Sequence, residues 1–201
     1  MTKTGEISAV RKPRADAERN RVRLLETAKA AFAEKGSGAS LDEIARTAGV
    51  GTGTLYRHFP TREKLVLAVY ENEIEQLLAA GESLAATANP ITALREWLLL
   101  FVDYLVTKHG MHEMLSSMDY QTSDVYSSSS SKLKQTGSRL VDRLIESQDA
   151  RPDLEPLDLL RALAGVASVN AGPNGRQAAR NMVDILIAGI KHSEKGSTGN
   201  G

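Results

Sequence analysis

The chain has 201 residues and no cysteine, which excludes disulfide bonds and thiol catalysis. Its length suits one medium domain or a small head with a larger body, and is enough to bury a hydrophobic core. No apolar run is long enough to span a bilayer, and residues 1–9 lack the apolar core of a signal peptide. We therefore expect a cytoplasmic protein with no membrane partner.

The net charge of zero conceals an asymmetry along the chain. Residues 1–70 hold 13 Lys and Arg against 8 Asp and Glu (+5), whereas residues 71–201 hold 12 against 17 (−5). A basic N-terminal part followed by an acidic remainder favours a polyanionic partner at one end only. A chance imbalance between solvated faces gives the same numbers. The charge asymmetry therefore indicates a polyanion-binding end only if that end also carries a binding motif.

Residues 1–15 have the composition of a mobile basic arm, in which Pro13 interrupts a cluster of Lys and Arg. Such an arm can reach the minor groove of DNA or its phosphates, but a solvated tail without a fixed partner is the simpler interpretation. Asp16 can cap a helix that runs to about Lys35, where Gly36 ends it. The buried stripe of this helix is predicted at Val22, Leu25, Ala28 and Phe32.

A capping box marks the start of the next helix. The Ser40 hydroxyl can accept a hydrogen bond from the N–H of Glu43, and the Glu43 carboxylate can reach back to Ser40. The helix therefore begins at Leu41. Gly49 ends it, because a sharp stop favours a residue that can adopt positive φ.

A second short helix follows this turn and ends before Pro60. Leu55 and Phe59 lie four residues apart on the face that is expected to pack inward. Two short helices joined by a glycine-containing turn form a helix-turn-helix pattern over residues 40–59. The other faces present groups suited to phosphates and base edges, namely Thr52, Thr54, Tyr56, Arg57 and His58.

The identities of the residues in this pattern are stronger evidence for a particular family than their helical spacing is. Residues 48–59 contain Ala-Gly-Val-x-x-Gly-Thr-Leu-Tyr-x-His-Phe, and residues 62–65 are Arg-Glu-Lys-Leu. Over residues 18–70 the chain resembles the TetR family of bacterial transcriptional regulators. Many members have a serine where this chain has Gly51. The second helix consequently starts without a side-chain cap, at a cost of roughly a few tenths of a kcal/mol.

The resemblance implies an all-α fold with an N-terminal three-helix helix-turn-helix head and a C-terminal helical body for ligand binding and dimerisation. It also implies double-stranded DNA as partner, with a near-palindromic operator. We expect a flexible arm at 1–15, the DNA-binding domain at 16–62, the body at 63–192 and a disordered tail at 193–201.

The expected DNA contacts divide by chemistry. Base contacts are predicted from Thr52, Thr54 and Arg57, with Gly51 and Gly53 allowing close approach of the backbone. Arg62 and Lys64 occupy the first turn of a long helix that Thr61 caps, and a helix N-terminus attracts phosphates. Phosphate contacts are predicted from Ser40, Tyr56, His58, Arg62 and Lys64.

Further helices are predicted beyond the head. The helix that begins at Arg62 is long enough to enter the body, and Asn89 with Pro90 starts the next one, which Gly110 closes. The serine run at residues 127–131 is either a loop or the first turn of a helix that continues to about Gln148.

Residues 97–126 gather the sole Trp, several other aromatics and most of the Met residues. Each of these side chains alone indicates ordinary core, but Met and aromatic residues also line adaptable apolar pockets. The resemblance implies a pocket in the body, for which the candidates are Trp97, Phe101, Tyr104, Met111, Met114, Leu115, Met118 and Tyr126. The expected effector is apolar or aromatic. His109 and His112 lack an evident third ligand, so neither a metal nor another cofactor is predicted.

The last two predicted helices are apolar enough to need a large partner surface. Residues 157–170 are apolar on most of their circumference, and residues 178–190 repeat apolar and small side chains. Intramolecular core alone would explain this, whereas the resemblance implies an intermolecular four-helix bundle in a homodimer. The interface is predicted at Leu160, Leu163, Ala167, Met182, Ile185, Leu186 and Gly189.

Together, the resemblance implies a homodimeric repressor that a small-molecule effector releases from its operator through the helix beginning at Arg62. Activation is compatible with the same parts. Two other functions remain open: a ligand-blind architectural DNA-binding protein, and a helical enzyme. The enzyme is disfavoured, since the sequence has no phosphate loop and no repeated metal-ligand spacing.

Overall fold

The structure, a computed structural model, describes residues 11–118, 124–147, 156–169 and 173–192. These ranges contain helices and no strand, which confirms the predicted all-α fold. The N-terminal head consists of three helices: α1, Arg11–Lys35; α2, Leu41–Thr47; and α3, Thr52–His58. A 3-10 turn at Gly36–Gly38 joins α1 to α2.

One long helix, α4 (Arg62–Thr87), leads from the head into the body. The body continues with α5, Pro90–Gly110; α6, His112–Ser117; α7, Asp124–Glu146; α8, Pro156–Val169; and α9, Pro173–His192. α5 is the central helix, because α1, α4, α7, α8 and α9 all pack against it. Within the described ranges, no helix is long and apolar enough to cross a membrane.

The starts of α4 and α5 follow the capping chemistry expected from the sequence. The Thr61 hydroxyl accepts a hydrogen bond of 3.3 Å from the N–H of Lys64. The Asn89 side chain accepts from the N–H of Ile91 at 3.1 Å, and Pro90 occupies the first turn, where its missing N–H leaves no bond unmade. α5 then ends at Gly110, as predicted.

The structure corrects two details of α1. The helix begins at Arg11 and not at Asp16, so residues 11–15 of the predicted arm are helical, while residues 1–10 lie outside the described ranges. Val22, predicted to be buried, is 45% exposed, and Leu24 is fully buried in its place. Near the N-terminal end of the stripe, the buried face of α1 is therefore rotated about the helix axis from Val22 to Leu24.

The serine run at residues 127–131 lies inside α7, which settles the choice between loop and helix in favour of the helix. Four of these serines are exposed and Ser129 is half-buried. The apolar face of α7 starts at Leu133 and continues through Leu140 and Leu144, all of which are buried.

The centre of the body is an aromatic cluster around Trp97, which is fully buried. The Trp97 indole N–H donates a 3.0 Å hydrogen bond to the carbonyl of Leu77, and its ring stacks on Phe101 with centroids 5.8 Å apart. Phe101 in turn lies 5.9 Å from Tyr104, whose hydroxyl donates to that of Tyr70 at 3.1 Å. The polar atoms of the cluster thus have partners, and its rings fill the space between α4 and α5.

Two glycines make room for this indole. A Cβ added to Gly81 in α4 would lie 2.3 Å from Cγ2 of Thr136 and 3.0 Å from Nε1 of Trp97. A Cβ added to Gly137 in α7 would lie 3.3 Å from the Trp97 ring. These close approaches allow α4 and α7 to pack on both sides of the indole.

We predict that Gly81→Ala destabilises the protein because the new methyl group overlaps Thr136, which is buried and β-branched. Overpacking of this kind costs about 1–3 kcal/mol in free energy of unfolding. The measurement is urea denaturation at one fixed protein concentration, followed by the fluorescence of Trp97.

Gly165→Ala in α8 is the matched control, since no atom lies within 4 Å of the added Cβ. Replacing an interior helix glycine with alanine in open space should raise stability by about 0.5–1 kcal/mol. Equal effects of the two substitutions would contradict the packing described for Trp97.

Candidate nucleic-acid interface

The start of α2 forms half of the predicted capping box. The Ser40 hydroxyl accepts from the N–H of Glu43 at 3.4 Å, as expected. The Glu43 carboxylate does not reach back, because both of its oxygens accept from Nζ of Lys35 at 2.8 Å. This hydrogen bond lowers the pKa of Glu43 and raises that of Lys35. The pair ties the end of α1 to α2.

The turn between α2 and α3 depends on Gly49. Its φ of +68° lies in the left-handed region, where glycine has no Cβ to clash. The N–H of Val50 can then donate to the carbonyl of Ala45 at 3.0 Å, which ends α2 and redirects the chain. The predicted helix stop at Gly49 is confirmed.

α3 is anchored from its inner face. Leu55 is fully buried and Phe59 is 4% exposed, as the sequence spacing predicted. The guanidinium of Arg21 lies 5.9 Å from the centre of the Phe59 ring, which holds α1 against the end of α3. At the other end, the Gly51 carbonyl accepts from the N–H groups of Thr54 and Leu55 at 2.8 and 3.2 Å, with no side-chain cap.

The outer face of α3 is exposed and polar. Thr52, Gly53, Tyr56 and Arg57 are exposed, whereas Thr54 and His58 are half-buried. No atom lies within 4 Å of a Cβ built on Gly51 or Gly53, so a ligand can approach the backbone there.

The Arg57 guanidinium lies along its own helix. It donates to the Gly53 carbonyl at 3.3 Å and to the Thr54 hydroxyl at 3.5 Å. Both bonds are long and solvent-exposed, so their loss costs little when the side chain turns to another acceptor.

Two predicted phosphate-binding side chains stand near the starts of other helices. Ser40 stands at the start of α2 and Lys64 in the first turn of α4, and both are exposed. The N-termini of these helices add partial positive charge, which an anion can use together with the Lys64 ammonium.

Arg62, also predicted to contact phosphate, is instead engaged within the protein. It is half-buried, and its guanidinium donates to the carbonyls of Ser37, at 3.3 Å, and Ala39. The same group lies 3.8 Å from the sulfur of Met114 in α6. The guanidinium donors thus have acceptors inside the protein. Because these acceptors belong to the turn before α2 and to α6, Arg62 links the head to the body.

Arg62 is part of a larger contact that we call the junction, formed by Phe32, Gly36–Ala39, Arg62, Gly110, Glu113 and Met114. In it, the Ser37 hydroxyl donates to the Glu113 carboxylate at 2.7 Å. A Cβ on Gly110 would lie 2.3 Å from the carbonyl oxygen of Phe32, so α5 ends directly against α1.

A salt bridge beside the junction adds a further link between α1 and α4. The Lys29 ammonium lies 2.6 Å from the Glu73 carboxylate, which is 5% exposed. Removing either partner would leave a buried or half-buried charge without its counterion.

The residues predicted to line a ligand pocket are mostly packed core. Trp97, Phe101, Tyr104, Met111 and Leu115 are each at most 7% exposed. Met114 and Met118 are half-buried, and the side chain of Tyr126 lies outside the described residues. Three clefts of the described part of the chain are lined by other side chains, and a ligand pocket at the predicted residues stays a prediction.

The predicted dimer-interface residues divide between two environments. Leu160, Leu163 and Ala167 of α8 are at most 7% exposed within the single chain, so they pack in its own core. On α9, Ile185 is 63% exposed, Gly189 is exposed, and Met182 and Leu186 are half-buried. Among the predicted interface residues, Ile185 of α9 therefore exposes the most apolar surface, and the interface itself stays a prediction.

Comparison with known proteins assigns both parts of the chain. Residues 24–69 match the model "Bacterial regulatory proteins, tetR family". Residues 89–192, more than half of the chain, match the model "Transcriptional regulator SbtR-like, C-terminal domain".

Solved structures agree with these matches. The TetR transcriptional regulator SCO0520 from Streptomyces coelicolor is 37% identical, with a TM-score of 0.76 over 85% of this chain and 97% of that chain. The TetR regulatory protein from Mycobacterium vanbaalenii is 30% identical, with a TM-score of 0.69 over 89% of this chain and 98% of that chain.

A curated relative is the transcriptional activator FasR of Mycolicibacterium smegmatis, 30% identical over 107 residues, which are 52% of this chain and 49% of that protein. The chain spans about half the length of the curated relatives it matches. The structure contains a helix-turn-helix with an exposed polar face. Family models match both parts of the chain, and similar structures cover nearly all of it. The chain belongs to the TetR family of DNA-binding transcriptional regulators.

Proposed function

We propose that this protein is a homodimeric repressor that binds a near-palindromic operator through α3 and is released by a small-molecule effector. The proposal keeps a DNA-binding domain at residues 16–62 and a ligand-binding and dimerisation domain at residues 63–192. The observation that carries it is the geometry of α3. Leu55 and Phe59 are buried beneath the helix while Tyr56 and Arg57 stand exposed on its outer face.

This geometry supports reading of the major groove. Arg57 has weak, exposed hydrogen bonds that it can exchange for the paired acceptors of a guanine. Gly53 leaves the backbone beside Arg57 uncovered, and Tyr56 and Lys64 stand where hydroxyl and ammonium groups can bind phosphates.

The junction supports coupling between body and head. α6 contacts the turn that precedes α2 through Glu113, and Arg62 contacts the same turn from α4. An effector that binds better to a second arrangement of the body would thereby favour a second orientation of the head. The shift is limited to the difference in its affinity for the two states, typically about 1–3 kcal/mol or 5–150-fold in DNA affinity.

Arg57→Ala and Lys64→Ala test the assignment of roles. DNA selected from a random pool and unselected DNA serve as ligands, and fluorescence anisotropy gives both dissociation constants at several salt concentrations. Arg57→Ala should lower the preference for selected DNA by about 1–3 kcal/mol. Lys64→Ala should weaken both DNAs alike and reduce the salt slope by about 1.

Equal effects of the two substitutions on both DNAs would contradict this division. If selection with the wild-type protein enriched no sequence, the architectural alternative would replace the proposal.

Ile185→Arg tests the dimer. A charge on the most exposed large apolar side chain of α9 would be desolvated without a partner in a packed interface. We expect monomers by analytical ultracentrifugation at micromolar concentration, where the wild-type protein is dimeric. Glu75→Arg on the exposed surface of α4 is the control and should leave the dimer intact. Persistence of the Ile185→Arg dimer would place the interface on another surface.

Arg62→Gln tests the junction. Glutamine cannot reproduce the donors to Ser37 and Ala39, and a part-buried carbonyl left without its donor costs about 1–3 kcal/mol of stability. DNA affinity should fall while the salt slope stays at the wild-type value, because no phosphate contact is removed. Lys64→Gln, with unchanged stability and a reduced slope, is the matched control. Unchanged stability of Arg62→Gln with a slope reduced by about 1 would restore Arg62 as a phosphate ligand.

A further inference from the structure

The sulfur of this chain is all thioether, because the sequence has five Met residues and no cysteine. Three of the five, Met111, Met114 and Met118, lie in α6 or directly beside it. An oxidant that reacts with sulfur can therefore act only on methionine here, and three of its targets lie at the helix that contacts the junction.

These three methionines differ in their access to solvent. Met111 is 1% exposed, so the surrounding core keeps solvent away from its sulfur. Met114 and Met118 are half-buried, so water and small solutes reach part of each residue. Met111 is consequently an internal reference for the reactivity of a buried thioether in the same short segment.

Met114 differs from Met118 in belonging to the junction. Its sulfur lies 3.8 Å from Nη1 of Arg62 in α4, in a part-buried contact. The same Nη1 donates to the Ser37 carbonyl at 3.3 Å. A thioether is a weak acceptor, so in this state the guanidinium is held chiefly by the carbonyls of the turn before α2.

Oxidation by a hydroperoxide adds one oxygen atom to this sulfur. A lone pair of the sulfur attacks one peroxide oxygen, and the S–O bond forms as the O–O bond breaks. With hydrogen peroxide, the other oxygen leaves as hydroxide and takes up a proton to become water. The sulfur is oxidised by two electrons and the peroxide is reduced by two. The product is a polar sulfoxide, which methionine sulfoxide reductases return to the thioether.

The sulfoxide would change the partners of Arg62. Its oxygen is a stronger acceptor than the thioether sulfur and would stand next to Nη1, where it competes with the Ser37 carbonyl. The bond to Ser37 is longer than an ordinary N–H···O bond of about 2.7–3.2 Å, so it is the weaker competitor. Arg62 would then move towards α6 and release the turn that leads into the helix-turn-helix.

We propose that Met114 is a site of reversible oxidation by hydroperoxides, and that its sulfoxide weakens DNA binding by drawing Arg62 away from the head. A methionine that only fills the space between α4 and α6 would have the same burial. The contact of its sulfur with a guanidinium that also binds the head favours the regulatory role. The effect on DNA rests on the proposed function, whereas the oxidation does not.

The test begins with the full-length protein treated with hydrogen peroxide. Peptide mass spectrometry follows the gain of one oxygen at each methionine with time. Met114 should react at least about tenfold faster than Met111, because a buried sulfur reacts only when the structure opens.

Fluorescence anisotropy then gives the affinity for selected DNA before and after oxidation. The Kd should rise at least about fivefold, the lower end of typical coupling between sites. Treatment with the two methionine sulfoxide reductases, one for each sulfoxide epimer, should restore it. Since the chain has no cysteine, the thiol that drives these enzymes has no disulfide of this protein to reduce.

Three variants locate the effect. Met114→Leu removes the sulfur at nearly constant volume, so peroxide should no longer change the affinity for DNA, although Met118 and Met182 are still oxidised. Met118→Leu is the matched control and should respond to peroxide as the wild type does. Met114→Gln places an amide oxygen near Arg62 and should weaken DNA binding without any oxidant.

Oxidation of Met114 no faster than that of Met111, or an equal loss of DNA affinity in oxidised Met114→Leu, would each overturn the inference. Urea denaturation separates its two levels, since it needs no DNA: oxidised wild type should unfold at lower urea than oxidised Met114→Leu. That difference with an unchanged affinity for DNA would confirm the oxidation site and reject its effect on binding. Failure of the untreated protein to bind any selected DNA would instead reject the proposed function.

Discussion

The backbone of Gly110 lies so close to α1 that a Cβ at this position would stand 2.3 Å from the Phe32 carbonyl oxygen. This contact brings the end of the central helix α5 against the head, and Arg62 and Glu113 then bind the turn between α1 and α2 from two sides. Because the helix-turn-helix continues directly from that turn, the orientation of α3 depends on the junction.

The structure thus separates two tasks that neighbouring basic residues perform. Arg62 is half-buried and satisfies carbonyl groups within the protein, while Lys64, two residues later in the same helical turn, is exposed. The first fixes where the head sits and the second is available to DNA.

The helix-turn-helix could be predicted from sequence because its determinants are local: the Ser40 cap, the positive φ of Gly49 and the burial of Leu55 and Phe59 all follow from near neighbours. The role of Arg62 could not, since its acceptors are 23 to 52 residues away along the chain.

In the body, too, contacts between residues far apart in the sequence could not be predicted. Met and aromatic residues have the same spacing whether they line a cavity or fill it, and only packing shows that Trp97 is enclosed by Gly81 and Gly137. Leu163 likewise has the composition of an interface residue but is fully buried in its own chain.

The most direct test of the central claim is a footprint of the purified protein on the DNA that flanks its own gene, at two salt concentrations. A dimer that presents two copies of α3 to successive major grooves should protect a near-palindrome with half-sites about 34–36 Å apart, at both concentrations. Salt-sensitive coating of the DNA without a defined boundary would contradict sequence-specific regulation by this protein.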